Sequence, residues 1–261
     1  MASFDGPSGD RLHSRRRVLG WAAAVAGLAA GLPAAGAAAA PAAPTAPIAP
    51  TVPGGASRSV PEPAAVRVGQ VLGAKARNNT VALTIDDGPD PVWTPKVLDL
   101  LAANGVHATF SVIGRQAQAY PTLVRRIVRA GHGVCNHSMT HPQPFGARPT
   151  AAIRQQIVGA QAVISDAAGA QPRLFRAPGG DWTPAVLDLT AELGLTPVGW
   201  SVDPRDWALP GVPAIQTSLL RAAAGDILLT HDGGGNRAQT VAALQAVLPH
   251  LRAEGLRFTV L

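Results

Sequence analysis

Nine polar residues in five short groups carry the chemistry that this sequence can offer. Asp86 and Asp87 stand between the apolar run Val81 to Ile85 and the turn residues Gly88-Pro89. An apolar run closed by Gly-Pro reads as a buried strand and a sharp turn. Two carboxylates at the mouth of a core are costly unless a cation offsets them. One can ligate a metal while its neighbour, pointing elsewhere, takes a proton. Alone, Asp-Asp-Gly is more often a turn closed by an Asx hydrogen bond.

His137 and His141 form the second group. At i and i+4 they fall on one side of a helical turn, where both imidazoles can reach one cation. Asp with two His is a ligand set of catalytic zinc that leaves a position for water. Ser138 and Thr140, between them, can orient the ligands. The third group is Arg176-Ala177-Pro178-Gly179-Gly180: an arginine able to pair a carboxylate, then glycines that let a backbone N–H approach a developing oxyanion. In the fourth, Asp203-Pro204-Arg205-Asp206-Trp207, Asp203 can hold a histidine in one tautomer and keep it cationic. In the fifth, His231 ends the apolar run Leu228-Leu229-Thr230 and precedes Gly233-Gly234-Gly235; beside a buried acid it is a candidate general acid. No Lys-Ser/Thr follows those glycines, so they do not make a phosphate loop.

The elements that position these groups alternate. Short β-like runs are expected at Val81–Ile85, Ala108–Ile113, Gly133–Cys135, Leu174-Phe175, Pro197–Ser201, Ile227–Thr230 and Leu256–Val260. Helices are expected between them, with Thr94, Thr150 and Thr183 as N-caps. About seven β-α alternations predict an α/β fold, a parallel sheet covered on both faces. The count and length favour a (β/α) barrel over a small open sheet, with a doubly wound sheet as the alternative. Each polar group follows a strand, where such folds place their ligands.

The chain has 261 residues and a formal charge of +6. From residue 41 onward 18 basic and 14 acidic residues leave +4, with Arg125, Arg126 and Arg129 as the one tight group. Those three share one helix face, and no nucleic-acid surface is expected. The single cysteine, Cys135, reads as a small buried strand residue. Arg15-Arg16-Arg17 precede an apolar Ala/Gly/Leu/Val stretch and small residues, a signal-peptide pattern over residues 1–40. The paired arginines followed by Val18-Leu19 match a twin-arginine signal, the alternative being an uncleaved membrane tether. Residues 41–65, rich in Pro and Ala, read as a disordered linker, and 66–261 as the folded domain.

Taken together and in order, the five groups resemble the polysaccharide deacetylase family with the NodB-homology domain, carbohydrate esterase family four. That family's motifs T-F-D-D-G-P, H-S/T-x-x-H, R-x-P-Y/F, D-x-x-D/S-W and L-x-H correspond to Thr84–Pro89, His137–His141, Arg176–Gly179, Asp203–Trp207 and Leu229–His231. The resemblance spans about 78 to 261. It implies a deformed (β/α) barrel and one divalent metal, zinc, held by Asp87, His137 and His141. It implies Asp86 as general base, oriented by Arg176, and His231 as general acid, oriented by Asp203. A backbone N–H at Gly179 would meet the oxyanion. Gly179 departs from the usual Tyr or Phe, which would widen the cleft, and Ile85 replaces a common Phe. Trp93, Trp182, Trp207 and Phe145 are candidates to stack on sugar rings. The implied function is a secreted or cell-wall-associated N-deacetylase of N-acetylglucosamine glycans, peptidoglycan or chitin-type, acting as a monomer without an obligate protein partner. An acetylxylan O-deacetylase and a non-catalytic wall-binding module are the alternatives.

Overall fold

The computed structural model describes residues 79–261. The expected signal and linker segments, and residues 66–78 of the expected domain, lie outside the described residues. Among the described residues no helix is long and apolar enough to cross a membrane.

Among the described residues seven strands form one sheet, and every pairing is parallel. They are β1 (Thr80–Asp86), β2 (Thr109–Val112), β3 (Gly133–Asn136), β4 (Leu174–Phe175), β5 (Thr196–Pro197), β6 (Ile227–His231) and β7 (Arg257–Phe258). Along the sheet the order is β5-β4-β3-β2-β1-β6, while β7 pairs with Thr80 and Val81 at the start of β1. β1 is central, and its residues from Val81 to Asp86 are all buried. An almost continuous apolar run is what a strand covered on both faces requires.

The expected strand Pro197–Ser201 is shorter than predicted. Pairing with β4 ends early: Val198 N donates to Phe175 O at 2.9 Å. The chain then crosses to β6, where Ser201 N donates to Ile227 O at 2.9 Å and Val202 bridges Leu228. Residues 198–202 thereby join the two ends of the sheet and curl it into the deformed barrel.

The helices are α1 (Trp93–Ala103), α2 (Gly114–Ala119), α3 (Pro121–Arg129), α4 (Thr150–Ala168), α5 (Pro184–Glu192), α6 (Val212–Leu219) and α7 (Ala238–Ala253). Of the three expected N-caps only Thr183 makes the bond, accepting from Val186 N at 3.4 Å ahead of Pro184. At α1 the capping acceptor is Asp90, whose Oδ1 takes Val92 N and Trp93 N, while Thr94 is drawn inward to another partner. α4 begins at Thr150 without a side-chain cap.

The main core packs β1, β2 and β6 against α1, α3, α6 and α7. A second cluster of Phe145, Ile153, Ile157, Phe175, Val186 and Leu189 joins α4, α5 and β4. Cys135 is buried on β3, and burial pushes its thiol up to about 12, which leaves it inert. Phe110 is 1 % exposed at the centre of β2. Phe110→Ala is expected to lower unfolding free energy by about 3–5 kcal/mol in chemical denaturation. Val158→Ala, at a site 46 % exposed, should change it by no more than about 0.5 kcal/mol.

Candidate active site

The five polar groups converge beyond the C-terminal ends of the strands, around a cleft of about 450 Å³. Asp86 is the last residue of β1, and Asp87 begins the following turn in a left-handed conformation, φ 75°. That reversal points the two adjacent side chains to different partners. Arg176, wholly buried, donates from Nη1 to Asp86 Oδ1 at 2.7 Å and to Thr84 Oγ at 2.8 Å. Its Nη2 donates to Gly199 O at 2.7 Å and its Nε to Val198 O at 3.3 Å. Asp86 Oδ2 is left facing the histidines, 3.7 Å from His137 Nε2.

Asp87 turns to the histidines instead. Its Oδ1 lies 3.5 Å from His137 Nε2 and 3.4 Å from His141 Nε2. One ligand atom from each of the three lies within 4.8 Å of the others. Asp87 Oδ1 is buried with no hydrogen-bond partner. His137 Nδ1 is 2.8 Å from the Arg176 carbonyl oxygen, the geometry of an N–H donor, which leaves the Nε2 lone pair directed at Asp87. An orphaned carboxylate oxygen facing two imidazole nitrogens is the donor set of a borderline divalent cation. Burial raises Asp87, but the facing His137 imidazole and the charges of His141 and His231 hold it well below the usual carboxylate range. Burial lowers His137, yet Asp86 and Asp87 push it above its ordinary value.

The histidine pair does not sit on a helical turn, as its spacing predicts. It lies on a loop after β3 with Ser138 and His141 at positive φ, 66° and 54°. Ser138 Oγ accepts from His141 N at 3.0 Å, and Ser138 N donates to Asn136 Oδ1 at 2.9 Å. Ser138 therefore orients the loop, while Thr140 bonds outward to Gln156.

Asp203 does not pair with His231. The carboxylate on His231 is Asp206, with Oδ1 2.7 Å from His231 Nδ1 and Oδ2 accepting from His231 N at 2.9 Å and Thr240 Oγ at 2.7 Å. Asp206 is fully buried, whereas Asp203 is half-buried on the cleft wall and accepts from Arg205 N at 2.7 Å. The sequence held the signal: Asp203-Pro204-Arg205 is an Asx turn that uses its own acid, leaving Asp206 free to reach inward. Burial lowers His231, but the hydrogen bond and charge of Asp206, then Asp86 and Asp87, raise it above its ordinary value.

The aromatic candidates separate. Trp207, 49 % exposed, lines the cleft. Trp182 packs edge-on against Phe175 at 5.8 Å in the second core, and Phe145 is buried there too. Trp93 opens α1 with Lys96 Nζ 4.6 Å from its ring, away from the cleft lining. Gly179 is on the cleft wall at φ 64°, and a Cβ there would meet Gln143 Nε2 at 3.0 Å, so the Gln143 amide takes part of the space that a ring would fill. Gln143, Trp200 and Arg237 line the cleft without having been singled out by the sequence; none belongs to a local spacing pattern. The turn after Asp87 and the loop after His231 touch so closely that a Cβ at Gly233 would stand 2.1 Å from Asp87 O, a contact that only glycine permits.

Comparison with known proteins agrees with this geometry. A polysaccharide deacetylase profile matches residues 73–198. A chitooligosaccharide deacetylase of Bradyrhizobium sp. (strain ANU 289) is 44 % identical over 199 residues, 72 % of this chain and 89 % of the relative. The chain belongs to the polysaccharide deacetylase family. A peptidoglycan-N-acetylglucosamine deacetylase of Bacillus cereus is 42 % identical over 181 residues, covering 68 % of this chain and 84 % of that protein. Among solved structures, a family 4 carbohydrate esterase from Streptomyces lividans in complex with acetate matches with TM-score 0.66 and 37 % identity, over 70 % of this chain and 93 % of that one. The family fold and the curled parallel sheet are thus one and the same architecture.

The histidine–aspartate pair has a pH signature. If His231 works as its cation, turnover falls as pH rises through its raised pKa. Asp206→Asn removes the hydrogen-bonded charge, so the falling limb of the kcat profile should move to lower pH and kcat should drop by about 10²-fold or more. Asp203→Asn should leave that limb in place.

Proposed function

We propose that this chain is an exported, zinc-dependent deacetylase that removes N-acetyl groups from N-acetylglucosamine glycans of the peptidoglycan or chitin type. The observation that carries this reading is the separation of roles in one cleft. Asp87 faces His137 and His141, Asp86 is held by Arg176, and His231 is held by Asp206. Asp87, His137 and His141 would hold the ion, which when bound supplies Lewis acidity toward the acyl carbonyl and makes a nearby water more acidic. Asp86, with Oδ1 fixed by Arg176, presents Oδ2 to take a proton from the attacking water. As the tetrahedral species collapses and the amide C–N bond breaks, His231 passes its proton from Nε2 to the departing amine. Acetate and a free amino sugar result. Gly179, on the cleft wall, would offer its N–H to the oxyanion.

The named relatives support an N-acetyl substrate, since those two are a chitooligosaccharide and a peptidoglycan N-acetylglucosamine deacetylase. The arginine-led N-terminus supports export by a twin-arginine route, to the cell wall or beyond. The retained base and acid, each with a buried partner, argue against a non-catalytic binding module. Zinc-loaded protein should release acetate from chitooligosaccharides and from peptidoglycan, with chelation abolishing release and zinc restoring it. Release from acetylxylan alone would instead make the chain an O-deacetylase.

A further inference from the structure

We propose that Arg237 is a specificity-determining residue that receives a carboxylate carried by the glycan, so that this cleft favours acidic over neutral N-acetylated strands. This rests on the deacetylase reading given above and names its substrate class. Arg237 follows the glycine loop after β6 and is only 3 % exposed, yet it lines the cleft. Its Nε donates to Gly233 O at 2.7 Å, which fixes the side chain beneath the loop. Among the described residues, no carboxylate pairs with its guanidinium. The other buried cationic groups of this site are each matched: Arg176 by Asp86 and His231 by Asp206.

Two further terms oppose a cation at this position. Burial of an unpaired charge is costly. Arg237 also immediately precedes α7, whose 16 residues direct their positive dipole end toward it. Both act against a positive charge here, and an anion entering the cleft would relieve both costs. The guanidinium is close to the chemistry. A Cβ at Gly234 would stand 2.8 Å from Asp87 Oδ2 and 3.3 Å from Arg237 Nη2, so the width of one absent side chain separates the cation from the Asp87 carboxylate. Asp87 turns Oδ1 to the two histidines, and among the described residues no ion pair joins its carboxylate to this guanidinium. A planar fork of N–H donors suits a carboxylate in bidentate contact. At this distance the carboxylate would belong to the sugar that bears the scissile acetamide or to its neighbour, as in a lactyl ether or a uronic acid.

The test compares one N-acetylated oligosaccharide containing muramic acid with the same oligosaccharide after reduction of its carboxyl to an alcohol. Acetate release and calorimetric binding are both measured on the metal-loaded full chain. Wild type should favour the carboxylate form by about tenfold or more in kcat/KM and in Kd, the scale of one charge-assisted contact. Arg237→Gln should bring that ratio to about one, and Arg237→Lys should retain part of it. Equal affinity of wild type for the two forms overturns the proposal without any variant. So does a preference that survives Arg237→Gln. Weaker inhibition by free acetate in Arg237→Gln, with the glycan preference unchanged, would assign the arginine to the product and likewise overturn it. If neither oligosaccharide releases acetate, the deacetylase reading fails, and the binding ratio still decides the role of Arg237.

Discussion

The buried Arg176–Asp86 pair is the contact on which the rest of this structure depends. Taking both charges out of water is expensive, and the pair is tolerable because almost every direction around the guanidinium is satisfied. Its donors reach Asp86 and Thr84 on β1 and the carbonyls of Val198 and Gly199 in the segment that closes the barrel. Thr84 Oγ donates onward to Leu228 O on β6 at 2.7 Å. The backbone carbonyl of Arg176 meets His137 Nδ1. One side chain thus ties the central strand to the closure point, holds the proposed base Asp86, and through its own peptide sets the tautomer of a metal-ligand candidate.

That arrangement explains how two adjacent acids with the same chemistry acquire different tasks. The left-handed turn at Asp87 swings its carboxylate away from Arg176 and toward the histidines. The glycines of the facing loop allow the backbone to pass against that turn. A second ion pair, His231 with Asp206, repeats the logic on the neighbouring strand β6, where His231 pairs in register with Asp86, and Thr240 and a backbone N–H complete the Asp206 carboxylate's contacts. Each of the two proposed proton-transfer groups, Asp86 and His231, has a buried partner that holds one of its two polar atoms and leaves the other unheld.

Much of this was legible in the residues. The strand–helix alternation gave the architecture because each polar group terminated an apolar run. Asp87, His137 and His141 were legible because a ligand set has a spacing. Three features were not. β5 is cut short by a change of partner from β4 to β6, a tertiary event that leaves no periodic mark. The histidine loop uses left-handed Ser138 and His141, so the i, i+4 spacing pointed to the right neighbours for the wrong reason. Asp203 was preferred to Asp206 because motif order does not reveal which acid closes its own turn. Arg237 escaped notice because an isolated arginine before a helix has no pattern, and only its burial marks it.

The central claim is that Asp86 and Asp87 are two residues with separate partners rather than one charged pair. Metal content by mass spectrometry, measured beside acetate release on Asp86→Ala and Asp87→Ala, tests it most directly. Asp87→Ala should lose the ion and turnover together, while Asp86→Ala should keep near-stoichiometric metal and lose turnover by about 10²–10⁴-fold. Equal metal loss in both variants, or full turnover in Asp86→Ala, would contradict the account.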